Sequence, residues 1–272
     1  MLQNIDDIKE LAENIGLTFL ENGKVNLFNV AKNEDITILN YNYNHNFLGS
    51  LTYCNGKFYI ILNKREISKC EIGRVRFTIA HELGHFFIDE QRNRLKNGVS
   101  ILFTKGEETN NRFVKQNEEL ANTFAANLLL PRKDFIENLK LKEFGIPGLL
   151  SLKDQYKTSL ECTLNHFINL NLTTSLIVKW DNNNLFNYAR GSELFLQKFE
   201  LSNKYIPVKI DWQHILKTYE DIEKNENEFS ETITSFNRWV SISRNEIKKD
   251  IIGIEQIVNL GEFGGMALIT FN

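Results

Sequence analysis

Arg76-Phe77-Thr78-Ile79-Ala80-His81-Glu82-Leu83-Gly84-His85-Phe86 is the stretch on which the reading of this chain turns. Within it, His81-Glu82-Leu83-Gly84-His85 is an H-E-x-x-H segment. Residues four apart on an α-helix lie one turn above each other on the same face. His81 and His85 can therefore hold one metal ion together, with Glu82 beside them to handle a proton. The surrounding spacing predicts a helix over about 71–89. Val75, Ile79, Leu83 and Phe86 form an apolar stripe, and Phe77, Ala80, Phe87 and Ile88 widen it. A helix apolar on most sides is a central one, where a rigid ligand pair belongs.

Two histidines do not complete a zinc site: catalytic zinc keeps three protein ligands and leaves the fourth position to water. No third histidine follows closely downstream. His45 sits in an Asn/Tyr-rich stretch, and His166 and His214 lie beyond the expected domain boundary. A second helix over about 111–130, closed by Pro131, offers Glu118 and Glu119. Glu118 shares its face with Asn122, Ala125 and Leu129, whereas Glu119 lies about 100° around the helix. Glu118 is thus the expected third ligand and Glu119 the fallback. Asn122 stands one turn from Glu118, an arrangement that resembles the glutamate-zincins and so implies Asn122 behind the ligands, fixing the tautomer of a ligating imidazole. The small residues Ala121, Ala125 and Ala126 allow this helix to approach another closely. The competing reading, a hydrogen-bonded structural histidine pair, is weakened by the helical, apolar setting and the second helix.

Outward from these helices, residues 3–16 predict a first helix ending at Gly16, and residues 25–32 a short second one. Strands are expected at Ile36-Thr37-Ile38-Leu39, at 48–53 and at 57–63, the last two joined by Asn55-Gly56, a strong hairpin signal. Residues 90–112 are polar and read as irregular, with one strand at Val99-Ser100-Ile101-Leu102-Phe103. Phe144-Gly145-Ile146-Pro147-Gly148 marks the expected boundary. Two short helices follow over 149–170. Then come a hairpin of 175–180 with 185–189, a polar helix over 211–225, and strands at 238–243 and 266–271. The expected organisation is α+β: a metal-binding domain over 1–145, a helical connector over 146–171, and a C-terminal α+β domain over 172–272.

With 272 residues, 42% hydrophobic and 25% charged, the chain has the composition of an ordinary globular protein. A formal charge of -3 leaves no electrostatic footprint for nucleic acid, so direct nucleic-acid binding is not expected. The helical residues 149–170 carry Lys153 and Lys157 but no dense basic face. No apolar run reaches the ~20 residues of a membrane span, and Met1–Asp7 lacks the pattern of a secretory signal. Cys54, Cys70 and Cys162 are odd in number and widely spaced, which fits free thiols in a cytoplasmic protein. Gly261 to Gly265 lacks the Lys-Ser/Thr of a phosphate loop and reads as a turn. Arg74 and Arg76 are expected in a solvated first turn or a carboxylate pair.

Glu118 with Asn122 on a second helix resembles the glutamate-zincin arrangement. The two motif blocks together, residues 77–85 and 118–131, resemble the ImmA/IrrE metallopeptidase family, whose pattern is R-F-T-x-A-H-E-L-G-H followed by E-x-x-A-N-x-F-A-A-x-L-L-x-P. The similarity extends over roughly residues 20–135. This chain departs at Asp89, where many members carry histidine, and in the length between His85 and Glu118. Residues 146–171 and 172–272 are similar to the helix-turn-helix-like segment and GAF-like domain of some members.

The resemblance implies a gluzincin-like, Zn²⁺-dependent endopeptidase in the cytoplasm that cleaves a helix-turn-helix repressor and relieves repression, with Glu82 as general base and the C-terminal domain sensing a signal or docking the target. An extended substrate could add beside the strand at 58–62. Tyr53, Tyr59 and Arg132 are candidates to stabilise an oxyanion. Two other readings are a regulator with a purely structural metal, binding DNA or a repressor, and the effector of a toxin–antitoxin pair with an antitoxin as partner.

Overall fold

The computed structural model describes residues 4–44, 47–98, 112–202, 206–241 and 251–271. The chain is mixed α+β and divides into two compact units. One comprises Met1–Lys142 and Ser151–Cys162, the other Glu143–Leu150 and Thr163–Asn272.

The first unit opens with α1 (Ile5–Thr18), capped by the Asn4 side chain, which accepts from the backbone N–H of Asp6 and Asp7. The helix runs on through Gly16. A Cβ there would stand 2.7 Å from the Leu128 carbonyl oxygen and from Pro131, so Gly16 serves close packing instead of ending the helix. A ribbon of β1 (Leu20–Glu21) and β2 (Lys24–Val25) leads into α2 (Leu27–Asn33). Next come β3 (Thr37–Tyr41), β4 (Gly49–Cys54) and β5 (Lys57–Asn63). These form a sheet of order β3-β5-β4, with β5 parallel to β3 and antiparallel to β4. Asn55 and Gly56 both take positive φ, 49° and 78°, as a tight hairpin turn requires.

A single turn, α3 (Lys64–Ile67), precedes α4 (Ile72–Phe87), the helix of the H-E-x-x-H segment. After Ile88 the chain forms α5 (Asp89–Lys96), a helix where irregular chain is expected. The expected strand at 99–103 lies outside the described residues. α6 (Arg112–Leu129) packs against both α1 and α4, with Ala121, Phe124, Ala125 and Leu128 fully buried. Burial of a side chain such as Phe124 or Leu128 contributes about 1.5–3 kcal/mol. The two helices approach closely at Gly84, where a Cβ would meet the Ala121 carbonyl oxygen at 3.0 Å. Small residues thus bring the two motif-bearing helices together. α7 (Arg132–Leu139) follows.

The division between units runs through α8 (Ile146–Tyr156) and α9 (Leu160–Asn169). The second unit holds β6 (Ser175–Trp180), β7 (Phe186–Gly191), α10 (Glu193–Lys198), α11 (Trp212–Lys224), β8 (Ser230–Ser235), α12 (Phe236–Trp239), β9 (Ile252–Asn259) and β10 (Gly265–Phe271). Its sheet has the order β7-β6-β10-β9-β8, antiparallel throughout. Aromatic side chains fill its core: Trp180, Phe195, Phe199, Phe236, Trp239 and Phe271. The strand expected at 238–243 is corrected: Arg238 and Trp239 belong to the turn α12, Val240 makes one isolated bridge to Val208, and 242–250 lie outside the described residues. Among the described residues, no helix is long and apolar enough to cross a membrane.

Candidate metal centre

α4 presents His81 and His85 one turn apart, and α6 presents Glu118 across from them. The ligand-type atoms of these three side chains lie within 4.8 Å of one another. His81 Nε2 and His85 Nε2 are 2.9 Å apart. Glu118 Oε2 lies 3.3 Å from His81 Nε2, and its Oε1 lies 3.5 Å from His85 Nε2. Ligands on one tetrahedral zinc at about 2.0–2.1 Å stand about 3.3 Å from each other, so this donor set fits such an ion in both chemistry and spacing. The Glu118 side chain is 41% exposed, which leaves the cluster open to solvent on that side. Glu119 is exposed and outside the cluster.

Each imidazole is held from behind. His81 Nδ1 lies 3.0 Å from Asn122 Oδ1, and His85 Nδ1 hydrogen-bonds Gln91 Oε1. An amide oxygen only accepts, so each Nδ1 is the donor and each Nε2 turns an unprotonated lone pair toward Glu118. Asn122 was legible from its spacing to Glu118. Gln91 was not: it comes from α5, in a stretch read as irregular. The signal was present in the helical spacing of Ile88, Gln91 and Leu95, all three buried.

Burial pushes the His81 pKa down, but in the protonated ring a hydrogen bond from Nε2–H to Glu118 and the charges of Glu82 and Glu118 outweigh that and leave it raised. Burial, aided by the His81 charge, leaves His85 lowered. Burial pushes the Glu118 carboxyl up, yet the His81 hydrogen bond and the charges of both histidines leave it lowered. A carboxylate and a neutral His85 are the forms that ligate a metal.

Glu82 is buried on α4, at 7% exposure, and its charge acts on both imidazoles. β4 crosses the same helix at Gly49, where a Cβ would meet Thr78 Cγ2 at 2.5 Å and Glu82 Cγ at 3.3 Å. Only glycine lets the strand pass so close. β5, expected to receive an extended substrate, is the central strand with both edges paired, so that expectation is corrected; β4 and β3 are the edges. Tyr53 lies toward the far end of β4, its ring 4.8 Å from that of Phe58, and Arg132 is exposed at the start of α7. Arg76 donates from Nη2 to the Val25 carbonyl oxygen at 2.8 Å, in place of the solvated turn or carboxylate pair expected.

Comparison with known proteins agrees with the two motif blocks. Residues 61–164 match the family described as Peptidase_M78, IrrE N-terminal-like domain. A solved structure described as a Mycobacterium tuberculosis transcriptional regulator is similar over 97% of this chain and 87% of its own, with a TM-score of 0.56 and 11% sequence identity. At that identity the likeness is one of fold. A sequence comparison with curated proteins found no match. The matched region contains both motif blocks, so the family comparison supports the resemblance of residues 61–164 to the IrrE N-terminal-like domain.

Proposed function

We propose that this chain is a cytoplasmic zinc endopeptidase that cleaves a helix-turn-helix transcriptional repressor and so relieves repression. The observation that carries the reading is the convergence of three donors: two Nε2 lone pairs, each set by an amide behind its ring, and the Glu118 carboxylate. His81, His85 and Glu118 would hold Zn²⁺, and Asn122 would orient His81. The bound ion would supply a water of lowered pKa and polarise the scissile carbonyl.

Glu82 takes the proton of the attacking water and returns one to the leaving amine. Its burial excludes competing solvent. Among the described residues the outer edge of β4 is unpaired, so it offers main-chain hydrogen bonds to an extended substrate, and Gly49 brings that strand over the helix that carries Glu82. In the same reading, residues 146–171 connect the peptidase domain to residues 172–272, which sense a signal or dock the repressor.

The test is cleavage of a helix-turn-helix repressor, such as one encoded beside this chain, by wild type and by Glu82→Gln, each loaded with zinc, with a chelator control. The proposal expects wild-type cleavage to disappear with chelator and to fall about 10²–10⁴-fold in the variant. Equal cleavage by both proteins at equal zinc content would refute the role of Glu82.

A further inference from the structure

The two imidazoles are not supported alike. Asn122, behind His81, stands one turn from Glu118 on the same helix, α6. Gln91, behind His85, comes from a separate short helix and is 2% exposed. Among the described residues its side chain makes two hydrogen bonds: Oε1 accepts from His85 Nδ1, and Nε2 donates to the Asn117 carbonyl oxygen at 3.3 Å. The Asn117 carbonyl can only accept, so it fixes the amide with Nε2 toward it and Oε1 toward His85, which makes Nδ1 the donor. Asn117 immediately precedes Glu118. One buried amide thus spans the helix that bears His85 and the helix that bears Glu118.

α5 is anchored to deliver it. Ile88 and Leu95 are buried at its two ends. Arg92 pairs with Asp89 at 2.5 Å and lies 5.3 Å over the Phe86 ring at the end of α4.

We infer that Gln91 is the positioning residue for His85: by accepting from Nδ1–H it keeps the Nε2 lone pair aimed at the point shared with His81 and Glu118, and its bond to Asn117 holds it in that orientation. This rests on the reading of these three residues as metal ligands. Gln91 itself touches neither metal nor substrate.

The test uses the full chain as wild type, Gln91→Met and Gln91→Glu. Met keeps the volume and removes both bonds. Glu keeps an acceptor for His85 but puts an oxygen against the Asn117 carbonyl. Zinc affinity is measured by competition with a chromophoric chelator, and the His85 tautomer by ¹⁵N shifts of histidine-labelled, metal-free protein. The inference expects His85 protonated at Nδ1 in wild type and in the Glu variant, and a mixed tautomer in the Met variant. It expects zinc affinity to fall about 10- to 100-fold in Met and to be largely restored in Glu.

If Gln91 were only a brace between α5 and α6, the Glu variant would be the worse of the two, and that result would overturn the inference. Unchanged affinity and tautomer in both variants would overturn it as well. Should the Met variant fail to fold, loss of the Nδ1–H tautomer in the Glu variant would do the same. A wild type that binds no zinc refutes the ligand reading itself, whereas the tautomer readout still judges Gln91 in the metal-free protein.

Discussion

Each unit of this protein buries a histidine against a glutamate, and the two clusters are built to opposite ends. In the first unit, amide oxygens behind the rings accept from Nδ1–H, and lone pairs converge in front: His81 Nε2, His85 Nε2 and the Glu118 carboxylate. In the second, the carboxylate is surrounded. Glu255 accepts from His214 Nε2 at 2.5 Å, Thr232 Oγ1 at 2.8 Å and Trp239 Nε1 at 2.7 Å, and is 1% exposed. With three donors on its two oxygens and almost no exposure, this carboxylate ties β8, β9, α11 and α12 together. Lone pairs that converge on an open point suit a metal ion; a buried carboxylate ringed by donors suits a structural network.

The largest expected effects break the first cluster. Glu118→Ala should abolish stoichiometric zinc while Glu119→Ala leaves it intact, as measured by metal content after dialysis; the reverse would transfer the role to Glu119. Asn122→Ala removes the support of His81 and should cost about 10- to 100-fold in zinc affinity without abolishing binding.

The second cluster should respond in stability and not in metal. Glu255→Leu leaves the Trp239, His214 and Thr232 donors without their acceptor. It should destabilise the second unit by about 3–5 kcal/mol in denaturant unfolding, with zinc content unchanged. Loss of zinc in that variant would erase the distinction between the clusters.

A smaller effect follows from pH. Burial pushes the Glu255 carboxyl up, but hydrogen bonds from Trp239, Thr232 and His214 and the His214 charge leave its pKa below the ordinary 4.5. A lowered carboxyl pKa contributes stability that is complete above the unfolded value and lost as pH falls through the folded one. The second unit should therefore weaken below about pH 4.5, and Glu255→Gln should flatten that dependence.

The same contrast explains what could be read from the residues alone. The cluster of His81, His85 and Glu118 could be anticipated because its parts lie at helical spacing within two motif blocks: His81 with His85, and Glu118 with Asn122. The Asn55-Gly56 hairpin and the ends of α6 were legible for the same local reason. The second unit was harder. β9 places Glu255 and Gln256 among buried positions, which breaks the alternation that marks a strand. β8 is an edge strand, Ser230-Glu231-Thr232-Ile233-Thr234-Ser235, with the polar look of a loop. α5 hid its two buried side chains, Gln91 and Leu95, in a run of charged ones. In each case tertiary partners, distant in sequence, satisfy what local pattern cannot explain.

The central claim is that His81, His85 and Glu118 hold a catalytic metal ion with Glu82 beside it. Its most direct test is zinc stoichiometry by mass spectrometry of wild type, Glu118→Ala and Glu82→Gln, purified side by side. The account predicts one zinc per chain in wild type and in Glu82→Gln, and none in Glu118→Ala. Full zinc occupancy in Glu118→Ala, or none in wild type supplied with zinc, would contradict it.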